Sequence, residues 1–513
     1  MDDYSSTLRL RTPRFTPHIF RCAAAALVAI ACLAGCEKDP GSIAGKEPVQ
    51  KVIEVESDVG ALGAWAANKA VASVLVHIDP RDDMGAFPVS HMDNLEKVAR
   101  RLRRGDALAL DGVAPMIEFG GTVSLGYMAG LYKRVIWVIP SSRPVGERPV
   151  RSFTDYFIQR RGFSREAITG LKAEGAHITG EITGVPITIT RLQDLVVADT
   201  ESAIIDIDLA YFAASKVVDP AYRTGMRTLL EFVRELGAKN VRTKIVTVNL
   251  STRKGDVAAD LRYYGGVIRE ALANPLTLSE PVPDTWKRII EAEDSLEAKR
   301  YGAAAAIYRD IVKTTKGDAG VYFSLAMAEG LQDKGPECRA ALLEAYHLDG
   351  EYLGEFFRLA RVLAASGKTA AGLHLIDTPD IKMFFTVDEI DYQRGLFFYA
   401  AHMPSEAVEN LVKAEFIQPD NFPLLVTLYK AFRDLGDTGG QIEALQKLVS
   451  INESKVAREA PWIYADLGKL YEKRGDFASA SKIYEKHIQA KPVDSLSIVF
   501  RERIEAWKAK GLK

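Results

Sequence analysis

Carboxylates crowd two short stretches of this 513-residue chain. The first is Val76-His77-Ile78-Asp79-Pro80-Arg81-Asp82-Asp83-Met84, and the second is Ile205-Asp206-Ile207-Asp208-Leu209-Ala210-Tyr211-Phe212. Each begins as a β-branched run that reads as a strand, so the acids fall at strand ends. Ligands of open α/β sheets gather at the carboxyl ends of strands. Carboxylates this close repel one another unless a cation sits among them. Two chemistries follow: a set of oxygen donors for a divalent ion such as Mn, Mg or Ca, or a salt-bridged core without metal. Arg81 speaks for the second, because a guanidinium stays protonated and has no lone pair to offer a metal. His77 reads as a structural residue of its strand and His91 as a surface residue at a helix start. That leaves no histidine placed as a general base. Arg253, Lys254 and Tyr263-Tyr264-Gly265-Gly266 are candidates to line the mouth of the site, though they read more simply as loop and helix-start surface.

The elements that must position these acids lie within residues 51–275. Short apolar runs at Val52–Glu56, Val74–Ile78, Val135–Ile139, Ala203–Ile207 and Lys244–Asn249 alternate with helical periodicity at Met92–Arg104, Thr122–Tyr132, Tyr222–Leu236 and Val257–Leu272. Short, fully apolar strands alternating with helices predict a parallel sheet covered on both faces, a three-layer α/β domain. Asn274-Pro275 closes it, and the proline-marked stretch 276–284 reads as a linker.

Four segments occur in order: Val55-Glu56-Ser57-Asp58-Val59, the first acid cluster, Ile136-Trp137-Val138-Ile139-Pro140 and the second acid cluster. Together they resemble the arginase/deacetylase (ureohydrolase) fold, and most closely an arginase-related family that includes peptide arginases, over nearly all of 51–275. The resemblance implies two Mn ions held by Asp and His, which generate a hydroxide that attacks a guanidinium carbon. On that alignment Asp79, Asp83, Asp206 and Asp208 stand at ligand positions. Asp58 and Arg81 stand where ligand histidines are expected, and Ala210 replaces the third acid of the second motif. The resemblance therefore implies that the ion once held at the Arg81 position is lost, with the guanidinium pairing Asp79, Asp206 or Asp208. A second site would survive as Asp58, Asp79, Asp83 and Asp206, so the expected cofactor is one Mn or other divalent ion at most.

Residues 285–494 repeat. The unit beginning at Pro461 carries Tyr464, Leu467-Gly468, Tyr471, Gly475, Ala480, Tyr484 and Pro492. This resembles a tetratricopeptide repeat, in which small residues let two antiparallel helices approach and large ones fill the gap. Units begin at Thr285, Ala319, Leu353, Asp388, Phe422 and Pro461, spaced by 34, 34, 35, 34 and 39 residues. Six stacked units predict an all-α superhelix, and residues 495–513 predict the amphipathic helix that caps it. The resemblance implies a groove that takes a peptide or protein partner. Cys338 falls at a small helix-contact position and reads as packing.

The amino terminus reads as an address. Arg9, Arg11, Arg14 and Arg21 precede the apolar run Cys22–Leu33, the pattern of a secretory signal. The run is too short for the ~20 residues that span a bilayer. Leu33-Ala34-Gly35-Cys36 resembles the lipobox of bacterial lipoproteins, which implies cleavage after residue 35 and acylation of Cys36. Residues 36–50 then form a tether, and Glu37 after the cysteine leans toward the outer membrane facing the periplasm. Removing residues 1–35 changes the formal charge from -2 to -4, and neither value offers the basic footprint of a nucleic-acid binder. The composite expectation is a lipid-anchored interaction scaffold bearing a degenerate, non-catalytic arginase-like domain. Its alternative is a Mn-dependent hydrolase of guanidino groups in peptides.

Overall fold

The computed structural model describes residues 48–513, apart from 86, 118–119, 219–223, 251–256, 258, 316 and 513. The expected signal segment, the acylated Cys36, and Arg253 and Lys254 lie outside the described residues. Among the described residues no helix is long and apolar enough to cross a membrane.

Eight strands form one sheet: β1 (Val52–Val55), β2 (Val74–Ile78), β3 (Arg134–Val138), β4 (Ile168–Glu174), β5 (His177–Ile182), β6 (Val185–Thr190), β7 (Ser202–Asp208) and β8 (Arg242–Asn249). Their order is β1-β8-β7-β2-β3-β6-β5-β4. The pairings from β1 through β6 in that order are parallel, whereas β5 pairs antiparallel with both β6 and β4. The expected all-parallel sheet is thus corrected to a mixed one. The reason is local: only two residues, Thr183-Gly184, separate β5 from β6, and both have positive φ (52° and 76°). That backbone matches the right-handed twist of a tight hairpin and forces an antiparallel return.

Strands β2 and β7 are buried at every position, which is why they are apolar apart from His77, Ser202, Asp206 and Asp208. One face of the sheet is covered by helices Asp58–Ala67, Met92–Arg103 and Thr122–Met128, through a core that includes Leu62, Trp65, Leu95, Leu102 and Leu125. The other face is covered by helices Met226–Ala238 and Tyr263–Ala273. This second core does not end at the sheet. It runs on through Trp286, Ile289, Tyr308 and Phe323 to Phe397, so the described residues form one compact unit. Arg262 clasps the seam, giving Nη1 to Glu56 at 2.9 Å and Nε to Asp349 at 2.5 Å. Tyr352 adds a hydroxyl donated to the Ala259 carbonyl at 3.1 Å.

From Asp284 onward the chain is a series of helix hairpins: Asp284–Glu297 with Tyr301–Thr314, Ala319–Gly330 with Gly335–Leu348, Glu355–Ala365 with Thr369–Ile376, Val387–Ala400 with Pro404–Ile417, Phe422–Leu435 with Thr438–Ile451, and Trp462–Lys473 with Phe477–Ala490. Helix Ser495–Ala509 follows and lays Phe500, Ile504 and Trp507 over Tyr484 and Ala480. The single 39-residue spacing contains an extra short helix, Glu453–Glu459. Cys338 is fully buried, and burial pushes its thiol up to about 12, as suits a packing residue.

Small residues at the hairpin crossings set the approach distance. A Cβ on Gly395 would stand 2.5 Å from Leu411 Cγ, and one on Gly468 would collide with the Tyr484 ring. Substituting Gly395→Val should destabilise the chain by ~1–3 kcal/mol through overpacking, read as a lowered midpoint in thermal or urea unfolding. The control Gly367→Ala meets no neighbour and should show only the smaller cost of a side chain at positive φ.

Candidate functional site

The acids meet where the parallel strands end. In the β2/β7 pairing His77 lies directly opposite Asp206, and in the β7/β8 pairing Asp208 lies opposite Asn249. Strand side chains two residues apart share a face, so His77 with Asp79, and Asp206 with Asp208, point the same way. Asp58 arrives from the loop after β1, as the first residue of its helix, where the helix dipole favours a negative charge. All five predicted acids (Asp58, Asp79, Asp83, Asp206 and Asp208) therefore converge in one buried cluster.

His77 stands inside this cluster, not merely in the surroundings of its strand. Its Nδ1 lies 3.0 Å from Asp206 Oδ2, and its Nε2 lies 3.5 Å from Asp83 Oδ2 and 3.9 Å from Asp79 Oδ2. The signal was available in the sequence as the two-residue spacing from His77 to Asp79. Burial alone would lower the imidazole pKa. The Asp206 hydrogen bond and the charges of Asp83, Asp206 and Asp58 reverse that and raise it to about 9.

Arg81 lies on the other side of Asp79. Its Nη2 is 3.6 Å from Asp208 Oδ2 and 4.0 Å from Asp58 Oδ2, its Nε is 3.8 Å from Asp79 Oδ1, and its backbone N–H donates to Asp79 Oδ1 at 2.7 Å. Of the three partners expected, Asp79 and Asp208 are present. Asp206 is not, because Thr247 donates to its Oδ1 at 2.6 Å and His77 holds its Oδ2. Asn249 Nδ2 bridges the remaining pair, 2.5 Å from Asp58 and 3.0 Å from Asp208.

Two three-residue donor groups result, sharing Asp79: His77, Asp79 and Asp83, and Asp58, Asp79 and Asp208. They differ in what faces them. In the first, His77 Nε2, Asp79 Oδ2 and Asp83 Oδ2 are buried and none has a hydrogen-bond partner, which fits an imidazole-and-carboxylate seat for one divalent ion. The second is faced by the Arg81 guanidinium and does not fit a cation as well. The expected seat of Asp58, Asp79, Asp83 and Asp206 is accordingly regrouped. Burial, followed by the charges of Asp83 and Asp206, pushes Asp58 up to about 8. Asp79 is raised by burial and then by Asp208, and Asp83 mainly by burial.

Sequence reasoning missed the loop's support. Asp83 sits at φ 46°, a left-handed conformation. Asp82 fixes it by accepting from Met84 N at 2.7 Å and Tyr156 Oη at 2.6 Å and by pairing with Arg161 at 3.0 Å. Trp137 donates Nε1 to the Asp79 carbonyl at 2.9 Å and stacks on Tyr156 at 6.0 Å. Tyr263 and Tyr264 are not the helix-start surface expected from the sequence: Tyr263 is half-buried and donates to Glu293 at 2.7 Å, and Tyr264 is buried and packs on Phe212 at 5.1 Å. His91 precedes helix Met92–Arg103 without a side-chain cap bond.

No protein-family model and no curated protein matches the sequence. Solved structures similar to part of the chain include the C-terminal part of a TPR repeat-containing protein from Cytophaga hutchinsonii (14% identity, 44% of this chain and 91% of that one, TM-score 0.30). Others are YrrB, a TPR protein with an unusual peptide-binding site (11%, 43% and 92%, TM-score 0.21), and PilW, a type IV pilus biogenesis factor (14%, 42% and 97%, TM-score 0.27). The hairpin array itself, with its 34-residue spacing and glycine crossings, is tetratricopeptide-like.

Removing one partner of a buried ion cluster typically costs ~3–5 kcal/mol. The Arg81 side chain is 41% exposed, so solvent screens part of that. Arg81→Ala is expected to cost ~1–3 kcal/mol in urea unfolding of metal-free protein. A wild-type midpoint for that variant would show that the guanidinium does not hold the acids together.

Proposed function

We propose that this chain is a lipid-anchored scaffold of the cell envelope, facing the periplasm from the outer membrane, whose repeats hold a peptide or protein partner. Its sheet domain is a degenerate member of the arginase-like fold that binds and no longer hydrolyses. One observation carries the second statement: the Arg81 guanidinium lies among Asp58, Asp79 and Asp208, where a two-metal hydrolase would need its second ion. A permanently protonated group there opposes a second cation. The orphaned atoms of His77, Asp79 and Asp83 leave room for one divalent ion, and these three residues would hold it. Such an ion would supply charge compensation to the cluster and Lewis acidity at a single point. The lipobox-like Leu33-Ala34-Gly35-Cys36 supports the anchor, and the stacked hairpins support the scaffold.

The test is metal content together with urea release, on the mature chain in detergent. Wild-type protein should carry no more than one equivalent of Mn or another divalent ion and release no urea from an arginine-containing peptide. Asp83→Asn should abolish whatever ion is bound, and Arg81→His should raise capacity by one equivalent. Two equivalents in wild type, with urea formed, would establish the hydrolase instead.

A further inference from the structure

The end of the sheet opposite the acids carries the opposite charge. Parallel strands begin at a common edge, and here that edge can be traced contact by contact. Lys51, just before β1, gives Nζ to Asn68 at the end of helix Asp58–Ala67, at 3.2 Å. Lys69 follows and abuts Gly105, where helix Met92–Arg103 has ended. Arg103 Nε donates to the Ala129 carbonyl at 2.8 Å, the Lys133 N–H to Ser73 at 3.2 Å and the Ser73 N–H to Ser202 at 2.8 Å. Ser202 is in register with Arg242, the first residue of β8. Along this path Lys51, Lys69, Arg103, Arg104, Lys133 and Arg242 are exposed, and among the described residues no carboxylate pairs with any of them. Asp106 and Glu201 lie there too but pair with Arg101 and Arg134, and Asp199 is exposed. Cations at helix C-termini offset the helix dipole, which accounts for Arg103 and Arg104. It does not account for Lys51, Lys133 and Arg242, which stand at strand starts.

Two further features share this edge. Val71 and Val196, 55% and 70% exposed, sit in the loops that lead into β2 and β7. The described chain also enters here, where the Val49 N–H donates to the Leu272 carbonyl at 3.0 Å. Pro48 stands 12 residues after Cys36, a span of roughly 40 Å at most.

We propose that this edge docks on an anionic bilayer surface, its cations against lipid phosphates and Val71 and Val196 in the headgroup layer, so that the acid cluster faces away from the membrane. The proposal rests on the anchored reading above and deepens it by giving the orientation and the lipid charge. A chain of formal charge -2 approaches an anionic surface only through a segregated basic patch, where each Lys or Arg adds to the attraction. Apolar side chains among the cations suit the headgroup boundary. Single-stranded nucleic acid would call for stacking rings, and residues 48–275 expose no aromatic ring among those described.

The test uses the mature chain carrying Cys36→Ser, which cannot be acylated, in flotation with vesicles of phosphatidylcholine alone or with a third phosphatidylglycerol. It should float only with the anionic vesicles, and raised salt should release it. Lys133→Gln with Arg242→Gln should weaken partitioning roughly fivefold per cation removed, and Lys69→Gln with Arg104→Gln is the independent pair should the first not fold. Lys430→Gln with Lys482→Gln, exposed on the hairpins, should change nothing; an equal loss there would overturn the edge assignment. A polarity-sensitive dye on Val71→Cys should report a drier setting on anionic vesicles, whereas one on Ser142→Cys, beyond the far end of β3, should not. The reverse pattern refutes the orientation. If the Cys36→Ser chain ignores anionic vesicles while the unsubstituted chain floats with phosphatidylcholine, the docking edge is wrong and the anchor stands. If the unsubstituted chain does not float with phosphatidylcholine but the Cys36→Ser chain binds anionic vesicles, the anchor is wrong and the edge stands. If neither floats, both fall. Equal binding of a DNA oligonucleotide through Lys133 and Arg242 would make the edge a nucleic-acid surface and overturn the lipid assignment.

Discussion

Five carboxylates gathered in one nearly dry place must be matched by positive charge, and the rest of the sheet domain is arranged around that demand. Water would screen the acids at no structural cost, but Asp79 and Asp208 have no exposed surface at all. Like charges at such separations cannot all remain ionised. The chain answers with two cations of its own, placed on opposite sides of Asp79. His77 reaches Asp206, Asp83 and Asp79, and Arg81 reaches Asp208, Asp58 and Asp79. Raised acid pKa values take up what remains of the imbalance. An external ion at the His77 group would displace a proton rather than enter an uncharged void, so metal uptake and protonation there are linked.

The neighbours that hold the acids in place come from several elements, Thr247 and Asn249 from β8 and His77 from β2, so the cluster reports on the register of the central strands. Trp65, from the helix after β1, donates to Thr247 at 3.0 Å; Thr247, on β8, donates to Asp206 on β7; and Asp206 holds His77 on β2. From Trp65 to Asp206 every donor in this chain has its acceptor, which favours a rigid network; the Nε2 of His77 at its end has no hydrogen-bond partner. The loop carrying Arg81 and Asp83 meets the sheet through Arg81 to Asp208 on β7 and Asp83 to His77 on β2. Asp82 locks it from beneath through Tyr156 and Arg161, so the left-handed turn at Asp83 persists.

What could be read from sequence divides along physical lines. The hairpin array was legible almost residue by residue, because each crossing is fixed by sterics within about one repeat: Gly395 against Leu411, Gly468 against Tyr484. The acids were legible as types, since five carboxylates at strand ends demand a common explanation. Their pairing was not. Whether Arg81 meets Asp206 or Asp208 depends on strand register and on Thr247, some forty residues away, and no local pattern carries that. His77 was misjudged because a histidine inside an apolar run looks like core; its two-residue offset from Asp79 was the better guide. The antiparallel edge was hidden for the opposite reason. Its signal is the short turn Thr183-Gly184, easily passed over beside the stronger apolar runs of β2 and β7.

The seam between sheet and repeats gives the cluster a mechanical neighbour. Glu56 and Asp58 are two residues apart at the end of β1, and Arg262 ties Glu56 to Asp349 on the repeat side with its guanidinium largely buried. A tilt of the second hairpin relative to the sheet would therefore pull on the turn that presents Asp58 to Arg81 and Asn249. The apolar core resists such a tilt, since it passes from Leu272 through Trp286 and Ile289 into the first hairpins. Close-packed interiors transmit strain rather than absorb it. The geometry thus joins a charged cluster, one of whose two donor groups faces the Arg81 guanidinium, to a stack of helix hairpins, and it does so through one shared core rather than a flexible hinge.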